Sequence, residues 1–204
     1  MVLLKYFFKL RFVLIVLNFS LMNSCAPVLV GGIASSGAIS AAQERSMKDA
    51  AIDLKIKATI NEALFKENFD EIFTPIKILV IEGRVLLVGT VNSLEIREKA
   101  AEISWKTSGV KEVLNYVLVG SQGTVIDYAT DTRISSELRA RYLFDDKINE
   151  INYDITTENK NIYLFGISKT QEELDYAVNI AKTIPGANKV VVHLITASDP
   201  KRLK

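Results

Sequence analysis

The stretch Glu82-Gly83-Arg84-Val85-Leu86-Leu87-Val88-Gly89 returns 77 positions later as Asn159-Lys160-Asn161-Ile162-Tyr163-Leu164-Phe165-Gly166. The register continues downstream: Glu95 lies over Glu172, Ala100 over Ala177, Ile103 over Ile180, Gly109 over Gly186, Val113 over Val190 and Val117 over Leu194. Upstream, Asp53-Leu54-Lys55-Ile56 lies over Asp131-Thr132-Arg133-Ile134 at a shift of 78, so the copies differ by one residue between these blocks. Chance is a poor account of so many matched apolar and glycine positions. The body of the chain reads as a duplication.

Each copy reads helix, strand, strand, helix, strand. In the first helix of copy one, Ile52, Ile56, Ile60, Ala63 and Leu64 recur at three to four residues and predict one apolar face. Ile134, Leu138 and Tyr142 keep that face in copy two. Strands follow at 76–81 and 84–88, joined through Glu82-Gly83, and at 151–157 and 161–165, joined through Glu158-Asn159-Lys160. Gly and Asn accept the positive φ of a tight hairpin, and Gly89 and Gly166 are expected to close each one. The second helices open at Ser93 and Thr170, with Thr170 and Glu173 spaced as a capping box and Asn92 and Glu95 as another. Ser108-Gly109 and Pro185-Gly186 stop them, and 110–119 and 187–195 form the last strands. The expected fold is α/β of the two-layer α+β kind, twice over. Each copy is an αββαβ unit with two helices on one face of a three-stranded mixed sheet.

The first 25 residues have another character. Lys5, Lys9 and Arg11 precede an apolar run that stops at Ser24-Cys25, the sole cysteine of the 204 residues. A basic segment, an apolar segment and a small residue before the cut describe an export signal. The competing reading is a membrane anchor. From Phe12 to Met22 the apolar run is too short for the roughly 20 residues that cross a bilayer as a helix, and lengthening it would bury Lys9 and Arg11. Residues 26–47, rich in Gly, Ala and Ser, read as a flexible tether.

Charge and composition exclude more than they suggest. Of 25 Lys+Arg, three belong to the signal, leaving 22 against 24 Asp+Glu, so the processed chain lacks the basic field that nucleic acid would require. With Cys25 consumed, no thiol or disulfide would remain. Catalytic candidates are sparse. His193 is the single histidine and alternates with Val192 and Leu194 as a half-buried strand residue, so neither a histidine triad nor a His/Cys metal cluster can be built. Glu172-Glu173 sits in the opening turn of a helix, where its dipole favours acid, and Asp145-Asp146 belongs to a loop. Gly31-Gly32 lacks the Lys-Ser/Thr of a phosphate loop. No cofactor, metal or catalytic residue is expected. Trp105 on the second helix could face core or solvent, with a packing role between the copies preferred, and Lys201-Arg202-Leu203-Lys204 reads as a frayed basic tail.

At the hairpin glycines, the Ala-rich second helix and Gly109-Val110-Lys111-Glu112-Val113-Leu114-Asn115, the chain resembles the BON domain, a bacterial envelope module. Copy two, Gly186-Ala187-Asn188-Lys189-Val190-Val191-Val192, departs by losing the asparagine. With a lipobox cysteine and a tether, the whole is similar to the dual BON-domain outer-membrane lipoproteins. The lipobox departs too, with Met22 where Leu is usual. The resemblance implies a signal at 1–24, acylated Cys25 followed by a tether to 47, modules at 48–120 and 126–197, and a tail at 198–204. It further implies an outer-membrane location on the periplasmic face, with Ala26 as a sorting residue. A role in envelope integrity without catalysis follows, with anionic phospholipid bound by the first helix of the second module.

That helix, expected over 127–143, offers a matching face. With Ile134 and Leu138 inward, the advance of about 100° per residue sends Tyr128, Thr132, Ser136, Arg139 and Leu143 outward, with Arg133 at the flank. Apolar and cationic groups together suit an anionic lipid surface. The same face reads equally as a solvated helix side with an incidental Tyr and Leu. Where the resemblance implies a bulky aromatic, this chain has Ala129, with Tyr128 beside it. A second function is also open: a tethered module that assists outer-membrane protein assembly, docking through sheet edges or through the gap between the copies.

Overall fold

The structure, a computed structural model, describes residues 44–67 and 75–203. The signal, Cys25 and most of the tether lie outside the described residues. Two αββαβ units follow one another: α1 (Met47–Glu67), β1 (Ile76–Ile81), β2 (Arg84–Val91), α2 (Leu94–Lys106) and β3 (Glu112–Val119), then α3 (Val125–Leu143), β4 (Tyr153–Glu158), β5 (Asn161–Ser168), α4 (Gln171–Lys182) and β6 (Lys189–Thr196). Short 3-10 turns precede β4 and end the chain. In each sheet the central strand pairs antiparallel with the hairpin strand before it and parallel with the strand beyond the helical crossover. Each copy is thus the mixed three-stranded sheet that its pattern predicts.

The hairpins are two-residue turns with positive φ at both positions, Glu82 (52°) and Gly83 (76°), then Asn159 (49°) and Lys160 (61°). This geometry matches the twist of the flanking strands. A duplicated acid holds them. The backbone N–H groups of Glu82 and Gly83 donate to the Asp53 carboxylate at 2.8 and 2.9 Å. Those of Asn159 and Lys160 donate to Asp131 at 2.8 and 2.7 Å. Both acids are buried on the inward side of their helices, Asp53 with Ile56, Ile60 and Leu64, Asp131 with Ile134, Leu138 and Tyr142. Asp53 takes the place on this face that periodicity assigns to Ile52. Ile52 is exposed, because the helix turns its carboxylate toward the hairpin.

Gly89 and Gly166 do not close the hairpins. They lie inside β2 and β5, opposite Ile76 and Tyr153, where β1 and β4 begin. A Cβ at either position would run into the carbonyl oxygen of Pro75 or Asn152, so the neighbouring backbone imposes glycine. Capping also differs in detail. Ser93 caps α2 by itself, accepting from the Ile96 N–H. Thr170 caps α4, but Glu173 reaches back to the Lys169 N–H. The full capping box is Thr124 with Asp127, and it starts α3 two residues earlier than expected.

Three apolar clusters make the core. Two are internal to the copies, each between one sheet and its own helices. The third joins the copies: Ile81, Leu86 and Val88 meet Tyr163, Phe165, Ile167 and Ile195. The sheets therefore pack on their helix-free faces, and the layers run helix, sheet, sheet, helix. All eight residues of β2 are buried, as a strand covered on both faces must be. Polar groups seal the rim of this contact. Lys77 Nζ donates to the Thr157 carbonyl at 2.8 Å and to Glu158 at 3.1 Å, and Thr90 donates to Glu158 at 2.7 Å. Arg84 stacks over the Phe165 ring at 5.1 Å while pairing with Glu112 at 2.7 Å. His193 is half-buried on the inner face of β6, 4.9 Å from the Tyr116 ring.

Three expectations fall here. The gap between copies offers no docking surface, since Phe165 and its neighbours fill it. Trp105 is 53% exposed on α2, an outer layer, and is not part of the cluster between the copies. The basic tail is not frayed: Arg202 donates to Glu82 at 2.7 and 2.9 Å, to the Ala197 carbonyl at 2.6 Å and to the Glu44 carbonyl at 2.7 Å. One guanidinium thus ties the C-terminus, the first hairpin and the start of the described chain.

Replacing Asp131 by Ala removes the acceptor of the partly buried N–H groups of Asn159 and Lys160 and should lower stability by about 1–3 kcal/mol in chemical denaturation. Because the sheets share a core, calorimetry should show one transition for both copies, and Phe165→Ala should lower it by about 3–5 kcal/mol. Two separate transitions would contradict the shared core.

Candidate functional site

The residues expected to meet lipid all come from α3. Its inward side is fixed by Ile134, Leu138 and Tyr142, whose hydroxyl donates to the Ala177 carbonyl at 2.7 Å and is pushed up in pKa by burial. Tyr128, Thr132, Arg133, Ser136, Arg139 and Leu143 are accordingly all exposed on the opposite side. The helix brings them together as its period requires.

Their chemistry differs from the expected mix. Every arginine on the helix is engaged. Arg133 pairs with Glu137 at 3.1 Å and donates to the Pro185 carbonyl at 2.9 Å. Arg139 pairs with Glu150 at 3.3 Å and donates to the Ile155 carbonyl at 2.9 Å. Arg141 shares Glu137 at 2.7 Å and reaches the Thr183 hydroxyl at 3.0 Å. Thr132 spends its hydroxyl on the Tyr128 carbonyl at 2.9 Å. These are half-exposed pairs of small individual worth, but they neutralise the charge that would face a headgroup.

Apolar character is stronger than expected and sits at the two ends. Val125 is 85% exposed, Ile126 77% and Tyr128 67% at the start; Leu143 is 65% exposed and Phe144 84% at the finish. Val125, Ile126 and Phe144 were missed because the helix was expected to begin at 127 and end at 143. The signal was present in Thr124-Val125-Ile126-Asp127, whose spacing is a capping box that places both aliphatics in the first turn.

The paired carboxylates are structural. Glu173 accepts from the Tyr153 hydroxyl at 2.8 Å and from the N–H groups of Asn149 and Lys169 at 3.0 and 2.9 Å. Glu172, in the same turn, is held below the ordinary carboxylate range by backbone hydrogen bonding and by Thr170. Asp145 accepts from the Tyr176 hydroxyl at 3.0 Å. A recess where the copies meet is lined by Arg45, Asn152, Tyr153 and Asp154 among others. Burial raises the Asp154 carboxyl there, against the pull of Lys57, Arg45 and Arg139. Among the described residues that line it, Asp154 is the one carboxylate. Among the described residues no group of three His, Cys, Asp or Glu could hold a metal, and no helix is long and apolar enough to cross a membrane.

The model of the BON domain matches residues 48–121 and 130–198. The chain is 39% identical over 147 residues to "Uncharacterized protein in gshII 5'region" of Anaplasma centrale, covering 72% of this chain and 93% of that protein. It is 30% identical over 146 residues to osmotically-inducible protein Y of Escherichia coli, covering 71% and 70%. Outer membrane lipoprotein DolP of Haemophilus influenzae is 22% identical over 170 residues, covering 83% and 87%. Both matched segments coincide with the αββαβ units built around Asp53 and Asp131, and the chain belongs to the BON domain family, carrying two copies of the domain.

Proposed function

We propose that the chain is a lipid-anchored outer-membrane protein facing the periplasm. Cys25 is its acylated terminus once 1–24 are removed, and 25–47 tether BON modules at 48–120 and 126–197. On this reading α3 rests on anionic phospholipid, and the protein supports the cell envelope by adhesion, without catalysis. Its similarity to a protein named outer membrane lipoprotein supports the location. The observation that carries the contact is the exposure of Val125, Ile126, Tyr128 and Leu143 on one helix, with Phe144 at its C-cap.

The energetics assign the parts. Fully burying an aliphatic or aromatic side chain contributes about 1.5–3 kcal/mol, so two apolar ends can seat the helix in an interface. Free cations near an anionic surface would add about 1 kcal/mol each, but Arg133 and Arg139 are shared with Glu137 and Glu150. The apolar ends therefore lead, with the arginines as a supplement. The acyl chains provide lasting attachment, since a single weak contact does not. That Asp53 and Asp131 are spent on hairpin turns, and Asp145 and Glu173 on tyrosine hydroxyls and backbone N–H groups, supports a non-enzymatic role.

A second reading has one observation in its favour. β3 is an edge strand, and Leu118 and Val119 near its end are exposed, as a strand-pairing site for an outer-membrane assembly partner would be.

In vesicle sedimentation of residues 44–204, Ile126→Glu with Phe144→Glu should weaken binding to anionic vesicles about tenfold or more. Arg139→Glu should cost less, and the salt dependence should be shallow, because the arginines are already paired. Indifference of both variants would favour the strand-edge reading. Intact mass of membrane-extracted protein should show an acylated Cys25 terminus; retention of Met1 would overturn the anchored topology.

A further inference from the structure

The two copies treat the free edges of their sheets differently. Along a strand, successive residues turn their backbone N–H and C=O groups alternately toward the neighbouring strand and away from it. The ladder between β2 and β3 ends with the Gly120 N–H donating to the Val91 carbonyl at 2.8 Å. Even-numbered residues of β3 therefore face β2, and Val113, Asn115, Val117 and Val119 turn their N–H groups outward. The equivalent closing bond of β6 runs from the Ala197 N–H to the Ser168 carbonyl at 2.7 Å. Val190, Val192, Leu194 and Thr196 are the outward residues there.

Copy one plugs its edge. The Val117 N–H donates to Asn115 Oδ1 at 3.1 Å, and Asn115 Nδ2 donates to the Arg97 carbonyl on α2 at 3.2 Å. An incoming strand would have to displace this side chain from the middle of the edge. Copy two has Val192 at the place of Asn115 and Leu194 at the place of Val117. A valine side chain has no acceptor to offer the Leu194 N–H. Among the described residues, the outward backbone groups of Val190, Val192 and Leu194 meet no hydrogen-bond partner. Val192 itself is 37% exposed in the middle of the strand. An apolar edge with open backbone groups is a template for another strand.

We infer that β6 is an association edge whose occupant is β6 of a second copy of this chain. The two strands run antiparallel about a two-fold axis near Val192 and join two three-stranded sheets into one of six strands. Three features fit a second copy. Val190, Val191, Val192, Ile195 and Thr196 are β-branched, the residue type that cross-strand pairing favours on both sides of such an axis. The one charged residue of β6, Lys189, stands at its start, so the axis puts the two lysines at opposite ends of the joint. α4, which packs on β6, exposes Glu172 and Asp175 near its start and Lys182 at its end. Antiparallel copies thus set the acidic end of one α4 on the side of the basic end of the other. The inference rests neither on α3 nor on the lipid anchor, and its edge is not that of β3.

The test is analytical ultracentrifugation of residues 44–204, which contain all three apolar clusters, without lipid or detergent. The mass should rise from one chain toward two as the concentration approaches about 1 mM. Val192→Asn gives copy two the plug of copy one. Val192→Pro removes an outward N–H and leaves the ladder to β5 intact. Each should weaken the dimer about tenfold or more, with thermal unfolding showing that the fold is kept. Hydrogen exchange at the Leu194 N–H of the wild type should slow as concentration rises, a reading that needs no variant. A wild type that stays monomeric to about 1 mM would overturn the inference. So would a dimer undiminished in both folded Val192 variants, or exchange at Leu194 that is independent of concentration. A dimer lost in Ile126→Glu with Phe144→Glu but kept in Val192→Asn would place the contact on α3 and overturn it as well.

Discussion

The contact between the two sheets is what the rest of the molecule depends on. A lone αββαβ unit of about 70 residues buries one modest core and leaves the other face of its sheet to be covered. Here the second copy covers it. Val88 and Leu86 on one side and Phe165, Tyr163 and Ile167 on the other make a shared apolar layer, and Lys77, Thr90, Arg84 and Glu158 close its rim. The helices are thereby displaced to the two outer surfaces.

Within each copy the geometry is set by an acid. Asp53 and Asp131 reach from the first helix to both N–H groups of the hairpin turn, so helix and hairpin cannot slide independently. A buried carboxylate is costly unless its oxygens are satisfied, and two charge-assisted hydrogen bonds satisfy them. The same feature sets the rotation of α1 and α3 about their axes, because the side bearing the aspartate must face the sheet. Which residues of those helices meet solvent follows directly: Leu54 and Ile52 on the first, Ser136 and Arg139 on the second.

The doubled sequence is not doubled in surface chemistry. α1 exposes Met47 and Leu54 on its outer side, while α3 carries apolar ends and arginines tied to Glu137 and Glu150. Equivalent positions in a repeat are held alike only where the core requires it. Outward positions drift, so two copies of one fold can offer two different faces. The Arg202 clamp adds asymmetry of another kind, since it joins the chain end to the hairpin of the first module alone.

By itself the sequence determined the repeat, the order of the elements, the hairpin positions, the inward residues of α3 and its outward set, because each of these is a local period or a local backbone preference. It also carried, in the unbroken apolar runs Val85-Leu86-Leu87-Val88 and Ile162-Tyr163-Leu164-Phe165, the mark of strands covered on both faces. Tertiary structure alone decided what covers them. It decided as well that Ile52 yields its inward place to Asp53, that Gly89 is demanded by the approach of Pro75, that Trp105 is outside, and that Arg133, Arg139 and Arg202 are already held. Each of these depends on atoms far apart in the chain meeting at short range, and no period along the chain encodes which partner a charge or a sheet face will find.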